Sequence, residues 1–266
     1  MAAQGEGSVE RPVVKSAGRA LAILDFVGER GVVRFIDLVT HLDLPRSSAH
    51  SLVQTLVNGG WLEHDPTTHQ LALGLRVWQL GQRYAGHRDL ATTAKPVMDA
   101  LALEVGETVQ LARLDGIENV YIAISEAPRP MRLASAVGMR LHAHGTGVGK
   151  VLLSQLDPTE AHSRLSAVTL PQLTAHTITD IDRLMIVLDD ARRQGYAVDD
   201  EEYLVGCRCV AVPLPTSNGG GGDGLMAALS VMAPTFRCEA EWPERALQSL
   251  RKAAMEICTR LGRRVT

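Results

Sequence analysis

Apolar residues first recur with helical spacing at Ala20, Ile23, Leu24 and Val27, an i, i+3, i+4, i+7 stripe that predicts an amphipathic helix over residues 16–29. Ile36, Leu38, Val39 and Leu42 predict a shorter one over about residues 36–42. Asp43-Leu44 reads as a tight turn. Pro45 is expected at the first position of a third helix, where its missing N–H costs nothing. In that helix Ala49, Leu52, Val53, Leu56 and Val57 complete a full stripe, and Gly59-Gly60 stops it. Two short runs at residues 61–63 and 70–73 flank the polar segment His64-Asp65-Pro66-Thr67-Thr68-His69, which predicts a β-hairpin. Helical periodicity returns with Val77, Trp78 and Leu80 from Leu75 to about residue 88, and Pro96 is expected to open the next unit.

The second half mixes strands and helices. Residues 108–113 and 120–125 alternate apolar and polar around an Asp115-Gly116 turn, and residues 132–137 read as a third strand. Residues 145–155 begin glycine-rich and become helical. A helix is expected over 179–193, with Thr179 and Asp182 as a capping box. Strands follow at 196–199, 207–213 and 225–232, the last two separated by a floppy Gly219-Gly220-Gly221-Gly222 loop. A helix over 241–263 closes the chain. Short turns between neighbouring strands, with helices elsewhere, indicate an α+β domain on an antiparallel sheet. The organisation expected is a tail over 1–12, a winged helix-turn-helix over 13–74, a linker helix over 75–95 and a second domain over 96–266.

Composition narrows the class. Hydrophobic residues are 45% of the 266, as in globular domains, but aromatics are only 4%, so aliphatic side chains must build the cores. No apolar run approaches the ~18 residues that span a bilayer, so no membrane association is expected. The N-terminal MAAQGEGSVERP carries acids and no apolar stretch, and so reads as a disordered tail rather than a signal peptide. Four cysteines, Cys207, Cys209, Cys238 and Cys258, are too few for a disulfide framework and fit a reducing cytoplasm. Net charge is −3, yet residues 11–88 hold nine Lys/Arg against six Asp/Glu. That excess is slight for a nucleic-acid binder, so a DNA-binding reading must rest on pattern.

The third helix supplies the pattern. Its polar face offers Arg46, Ser47, Ser48, His50, Ser51 and Gln54. In a helix-turn-helix the start of the second helix of the motif meets base edges in the major groove. Arg suits guanine, Gln suits adenine, and Ser suits either a base edge or a phosphate. The competing reading, an ordinary solvated helix face, is outweighed by the short helix, turn and hairpin around it. Arg19, beside the first stripe, is a phosphate clamp or a surface ion-pair partner of Asp25 or Glu29.

In the second domain, Gly145-Thr146-Gly147-Val148-Gly149-Lys150 fails as a phosphate-binding P-loop, because His144 and Val151 stand where glycine and Ser/Thr are needed. It also lacks dinucleotide spacing. A glycine-rich turn opening a helix and offering N–H groups to a carboxylate fits better, and a tight turn that only needs small residues is the alternative. Cys207 and Cys209 share a strand face and form at most half a metal site, with no second pair in the sequence; Cys207 as a small buried hydrophobe is the main alternative. His142 and His144 have no legible nucleophile to serve. Ser230 and Met232 share one face of a strand, as a pocket wall requires. No cofactor is expected.

The segments KSAGRALAIL, LDLPRSSAHSLVQTLVNGGWLEHD, GETVQLARLDG, GMRLHAHGTGVGK, HTITD, RRQGYAVDDEEYLVGCRCVAVP and ALSVMAP, in that order, resemble the IclR (isocitrate lyase regulator) family of bacterial regulators across residues 14–265. The resemblance implies a winged helix-turn-helix, a linker helix and a GAF-like effector-binding domain, acting as a homodimer or tetramer on near-palindromic operator DNA. It also places Gly147, Val148, Asp199, Cys209, Ser230 and Met232 at a small-molecule effector pocket. The chain departs from the family pattern at four places. Ser51 stands where Arg is common, His69-Gln70 where the wing is often basic, Ile36 where a Ser or Thr cap is usual, and Met232 where some relatives have Ser. The expected function is a transcriptional regulator of repressor type, modulated by a small organic acid, aromatic acids included. The rivals are an enzyme using His144, Asp199 and Cys209, and a DNA-binding protein whose second domain only oligomerises.

Overall fold

The computed structural model describes residues 14–83, 85–129, 135–214 and 226–262, with the side chains of 85–89 left aside. The expected tail over 1–12, residues 132–134 of the expected third strand, the four-glycine loop and residue 263 of the expected closing helix lie outside the described residues. The chain divides after Ala85 into two compact units.

The first unit runs α1 (Lys15–Arg30), β1 (Val33–Arg34), α2 (Phe35–His41), α3 (Arg46–Asn58), β2 (Leu62–His64), β3 (Gln70–Leu73) and α4 (Leu75–Gln82). The stripes point inward as their spacing requires: Ile23, Phe26 and Val27 meet Leu38 and Val39 of α2 and Ala49, Val53 and Leu56 of α3. Pro45 proves to be the residue capping α3 rather than its first helical position, and its carbonyl accepts the amide of Ala49 at 2.9 Å. The α2 helix begins at Phe35 with Arg34 as its cap, so the missing Ser or Thr at Ile36 falls inside the helix. Asp37 in its first turn is held by Arg34 at 2.8 Å and complements the helix dipole. The hairpin forms in the expected place, and β3 also pairs with β1, giving the order β1-β3-β2. The two-residue β1 is too short to show an alternation and was invisible in the sequence.

The second unit begins with α5 (Ala85–Val105) and follows with β4 (Thr108–Asp115), β5 (Glu118–Ser125), β6 (Arg140–His142), a 3-10 turn over 143–145, α6 (Gly147–Ser154), α7 (Pro158–Ser166), α8 (Ile181–Gln194), β7 (Ala197–Asp200), β8 (Cys207–Pro213), β9 (Ala227–Pro234) and α9 (Trp242–Arg260). Pro96 lies inside α5 instead of opening a unit, and Leu90, Ala94, Val97, Met98 and Leu101 of that helix are buried in the core of the second unit. The expected linker over 75–95 is therefore two helices, the second of which packs into this unit. The described part of the expected third strand, residues 135–137, is not extended pairing; the strand is β6 instead. Asp180, not Thr179, caps α8, accepting the amide of Arg183 at 2.8 Å. The α7 helix was not foreseen, although Asp157 caps it and Pro158 opens it.

The strands form one antiparallel sheet in the order β6-β5-β4-β9-β8-β7. Because successive side chains alternate faces, the sheet sorts its residues in two. Val109, Leu111, Val210, Val212, Leu229 and Val231 face α5 and α9. Ala112, Tyr121, Ala197, Ala211 and Ala228 face α6. Every residue of α6 is buried, and its backbone approaches the preceding turn so closely that a Cβ on Gly149 would stand 2.3 Å from Cα and O of Ala143.

Two glycine substitutions should therefore have opposite signs. Gly149→Ala collides with backbone, which cannot step aside, and should destabilise the second unit by about 1–3 kcal/mol or more. Gly81→Ala, in α4 with open space around the site, should stabilise by about 0.5–1 kcal/mol. Thermal melts of the two variants check this; equal melting temperatures would contradict the close approach at Gly149.

Candidate functional site

Two surfaces carry the sequence-predicted residues, one in each unit. In the first, Arg46, Ser47, His50, Ser51 and Gln54 of α3 are exposed and Ser48 is half-buried. At about 100° per residue those five exposed side chains fall within an arc of about 140°. The core residues Ala49, Val53 and Leu56 lie outside that arc. The Ser51 hydroxyl donates to the Ser47 carbonyl at 3.1 Å, and Gln54 Nε2 donates to Asn58 Oδ1 at 3.0 Å. His50 sets its ring edge-on to Phe35, centroids 6.2 Å apart. Arg19 joins this surface: it lines an open groove with Ser48, Ser51 and Leu52, together with Lys15 and Ser16, which sequence reasoning had not singled out. At the wing, His69 adopts a left-handed backbone (φ 55°), and its ring lies 6.0 Å from that of His64. Asp65 holds the tip by accepting the amides of Thr67 (2.7 Å) and Thr68 (3.2 Å).

In the second unit a cavity of about 330 Å³ opens on the α6 side of the sheet. Its floor follows from strand register. Asp199 on β7 pairs with Cys209 on β8, which pairs with Met232 on β9, so the three form one row across the sheet. Val148 of α6, Thr146, Tyr121, Leu141 and Tyr203 complete the inner walls, and Arg140, Met139 and Leu204 also line it. Of the effector residues predicted from sequence, Val148, Asp199, Cys209 and Met232 line the cavity. Gly147 and Ser230 do not. Gly147 lies beneath it, where a Cβ would come within 3.3 Å of Asp199 N and Cys209 Sγ. Ser230 is fully buried and donates to Gln110 Oε1 at 3.1 Å. Gln110, Tyr121, Thr146 and Tyr203 are lining residues that sequence reasoning missed.

The start of α6 is built by Thr146. Its hydroxyl accepts the amide of Gly149 (3.0 Å) and donates to Asn119 Oδ1 (2.7 Å). The first amides of a helix have no intrahelical acceptor, so those of Gly147 and Val148 are left without one at the start of α6, where Thr146 and Val148 line the cavity. One turn further, Lys150 is fully buried and pairs with Glu202. Asp199 Oδ1 accepts the amides of Glu202 (2.8 Å) and Tyr203 (3.3 Å). Burial pushes the Asp199 carboxyl up to about 7, with Glu202 adding to the rise and Lys150 and the two amides opposing it. Burial likewise pushes the Cys207 thiol up to about 12 and that of Cys209 further, so both are neutral apolar lining rather than nucleophiles. Tyr121 is also held neutral by burial. Arg140, the cation among the described lining residues, is shared between Glu118 and Asp115 at 2.8 Å each. His144 points away from this chemistry, its Nε2 lying 3.0 Å from the Pro171 carbonyl, and burial lowers its basicity. Among the described residues no group of three or more His, Cys, Asp or Glu side chains could hold a metal ion. No described helix is long and apolar enough to cross a membrane.

Comparison with known proteins accounts for both units. Residues 16–66 match the IclR helix-turn-helix domain, and residues 82–259 match the bacterial transcriptional regulator IclR C-terminal domain. The chain is 32% identical to the HTH-type transcriptional regulator XynR of Escherichia coli K12, over 94% of this chain and 98% of that one. It is also 32% identical to the E. coli K12 transcriptional repressor AllR, over 97% and 96% of the two chains. Among solved structures, an IclR homolog from Microbacterium hydrocarbonoxydans complexed with 4-hydroxybenzoate superposes with a TM-score of 0.80 at 28% identity, covering 93% of this chain and 99% of that one. The matched families and relatives are regulators, not enzymes.

The elevated Asp199 group makes stability depend on pH. Its folded value of about 7 exceeds the ordinary 3.8, so the folded chain binds an extra proton between those values. Stability is then full below about pH 4 and is lost as pH rises through 7. Asp199→Asn keeps an acceptor for both amides and removes the titration. Relative to this variant the wild type should lose stability between pH 4 and 7, with a slope approaching about 1 kcal/mol per pH unit. Urea melts across that range measure it, and parallel curves would show that Asp199 does not titrate there.

Proposed function

The chain belongs to the IclR family of bacterial transcriptional regulators, and we propose that it is a ligand-gated repressor whose cavity binds a small organic acid, of the aromatic class. The observation that carries this reading is the cavity itself. Apolar walls from Met232, Leu141, Val148 and the two neutral thiols surround a few convergent polar groups at the start of a helix. An acid's carboxylate suits helix amides, and a flat apolar body suits the walls. The 4-hydroxybenzoate complex of the Microbacterium homolog supports the ligand class, and the repressor AllR supports the sign of regulation.

On this reading Arg46, Ser47, Ser48, His50, Ser51 and Gln54 meet the operator, with Arg19 on a phosphate. Gly147, Val148, Asp199, Cys209 and Met232 form or support the effector site, and Ser230 acts through Gln110. Ligand regulates DNA binding by favouring one of two arrangements of the DNA-reading helices, which requires only different affinity for the two. The protein works in the cytoplasm as a homodimer or tetramer. Exposed Leu75, Trp78 and Leu80 on α4 and Leu21 on α1 are apolar side chains that a second copy would cover.

Gel-shift titration with the DNA upstream of the chain's own gene tests the reading. Binding should be sequence-preferring and should weaken steeply with salt. It should also weaken on addition of 4-hydroxybenzoate, or of another aromatic acid from a panel that raises the melting temperature. Turnover of such an acid without operator binding would refute the proposal. Arg46→Ala should cost about 1–3 kcal/mol of operator binding with an unchanged melting temperature. Unchanged affinity would mean that another element reads the DNA.

A further inference from the structure

Gln110 and Ser230 face each other across β4 and β9, and both are fully buried. Ser230 Oγ donates to Gln110 Oε1 at 3.1 Å, which fixes the orientation of the amide. Oε1 is turned to the sheet, and Nε2 is the end left to the cavity that Gln110 lines. There Nε2 meets Ser135 Oγ at 3.5 Å and Met232 Sδ at 3.7 Å. The first contact is at the limit of a hydrogen bond, and a thioether is a weak acceptor. A buried amide donor with only such partners is under-satisfied, and an oxygen from a ligand would satisfy it.

Its position indicates which part of a ligand it meets. Asp199 lies on β7 and Gln110 on β4, three strands apart across β8 and β9. Gln110 lies opposite Ser230, two residues along from the row of Asp199, Cys209 and Met232, so at about 4.8 Å per strand and about 3.4 Å per residue the backbones are about 16 Å apart. Cys209 and Met232, in the row of Asp199, line the wall along this span and are apolar. Both side chains reach inward, so the gap fits a ring better than a two- or three-carbon acid.

We propose that Gln110, held in orientation by Ser230, is a second polar subsite of the cavity, one that accepts an oxygen at the far end of an elongated ligand whose acid end lies by Asp199 and the start of α6. The inference rests on the organic-acid reading given above. The ligand class it selects is an apolar ring with an oxygen function at each end, as in a para-substituted aromatic acid. Gln110 touches the ligand. Ser230 is a positioning residue that acts on the ligand through Gln110.

Calorimetric titration of the full chain with benzoate and 4-hydroxybenzoate tests this. Wild type should bind 4-hydroxybenzoate about fivefold or more tighter than benzoate, the worth of one well-made hydrogen bond. Gln110→Leu should bring that ratio close to one. Gln110→Met keeps the side-chain length and loses the amide donor, so it reports the same loss if the leucine variant fails to fold. Ser230→Ala should lower the ratio as well, whereas a merely structural role would weaken both acids equally. A wild-type ratio of one, or a ratio unchanged in the Gln110 variants, overturns the subsite and leaves the acid reading standing. Failure of both acids to bind wild type overturns the acid reading, and the subsite with it.

Discussion

A charged ammonium sits in the middle of a helix with no exposed residue, and much of the second unit is arranged around that fact. Lys150 cannot reach water from α6, so it needs a carboxylate beside it, and Glu202 supplies one. Glu202 lies on the segment between β7 and β8, so the pair holds that segment against the helix. Thr174 and Thr177 add hydroxyl bonds to the carbonyls of residues 201 and 202, at 2.7 and 2.6 Å. Asp199 completes the clasp through the amides of Glu202 and Tyr203. Tyr203 and Leu204 then have fixed places on the cavity wall.

That arrangement sets the electrostatics of the cavity. One ammonium stands near two carboxylates, and Glu202 has the direct contact. Asp199 keeps backbone donors but lacks an ion partner of its own, so burial outweighs Lys150 and its carboxyl rises toward neutrality. A neutral Asp199 can donate to an anionic ligand, where an ionised one would repel it. The glycines around the clasp have the same origin. A helix with every residue buried must lie close against its surroundings, and at Gly149 only the absence of a side chain permits it.

Much of this was legible in the sequence where a period could repeat. The stripes of α1 and α3, the hairpin, and the strands 108–113 and 207–213 all follow from alternation or helical spacing over enough residues to be distinctive. The misplacements are short or ambiguous elements. The strand β1 has two residues and β6 has three, too few for any period to show. Pro96 suggests a boundary because proline usually ends a helix, but burial of Leu90, Ala94, Val97 and Met98 carries α5 through it. The α7 helix did carry a signal, Asp157-Pro158 with Glu160 two residues on, that a search for apolar stripes passes over. Asp199, Cys209 and Met232 came from family resemblance, while Gln110 and Tyr121 emerge only from register, since nothing local marks which strand lies opposite which. Ser230 was placed on the correct face, but its link to Gln110 requires knowing that β9 lies beside β4.

The slender cationic supply of the first unit bears on how the two units serve one another. Each phosphate neutralised adds to affinity, and α3 contributes only Arg46 as a full cation, with Lys15 and Arg19 at the adjoining groove. The wing offers His64 and His69, with Glu63 and Asp65 beside them, in place of lysine or arginine. On the proposed reading one such unit would hold DNA weakly. In the proposed dimer two tethered copies would hold it far better, because the second binds at high effective concentration once the first is seated. That gain exists only while both reading helices fit their half-sites together. A ligand in the second unit then need not touch the DNA interface. A change in the spacing of two weak contacts removes the avidity and leaves each unit's own modest affinity. Strong intrinsic binding by each unit would blunt such control, so the sparse charge around α3 and the wing suits a regulator that must let go.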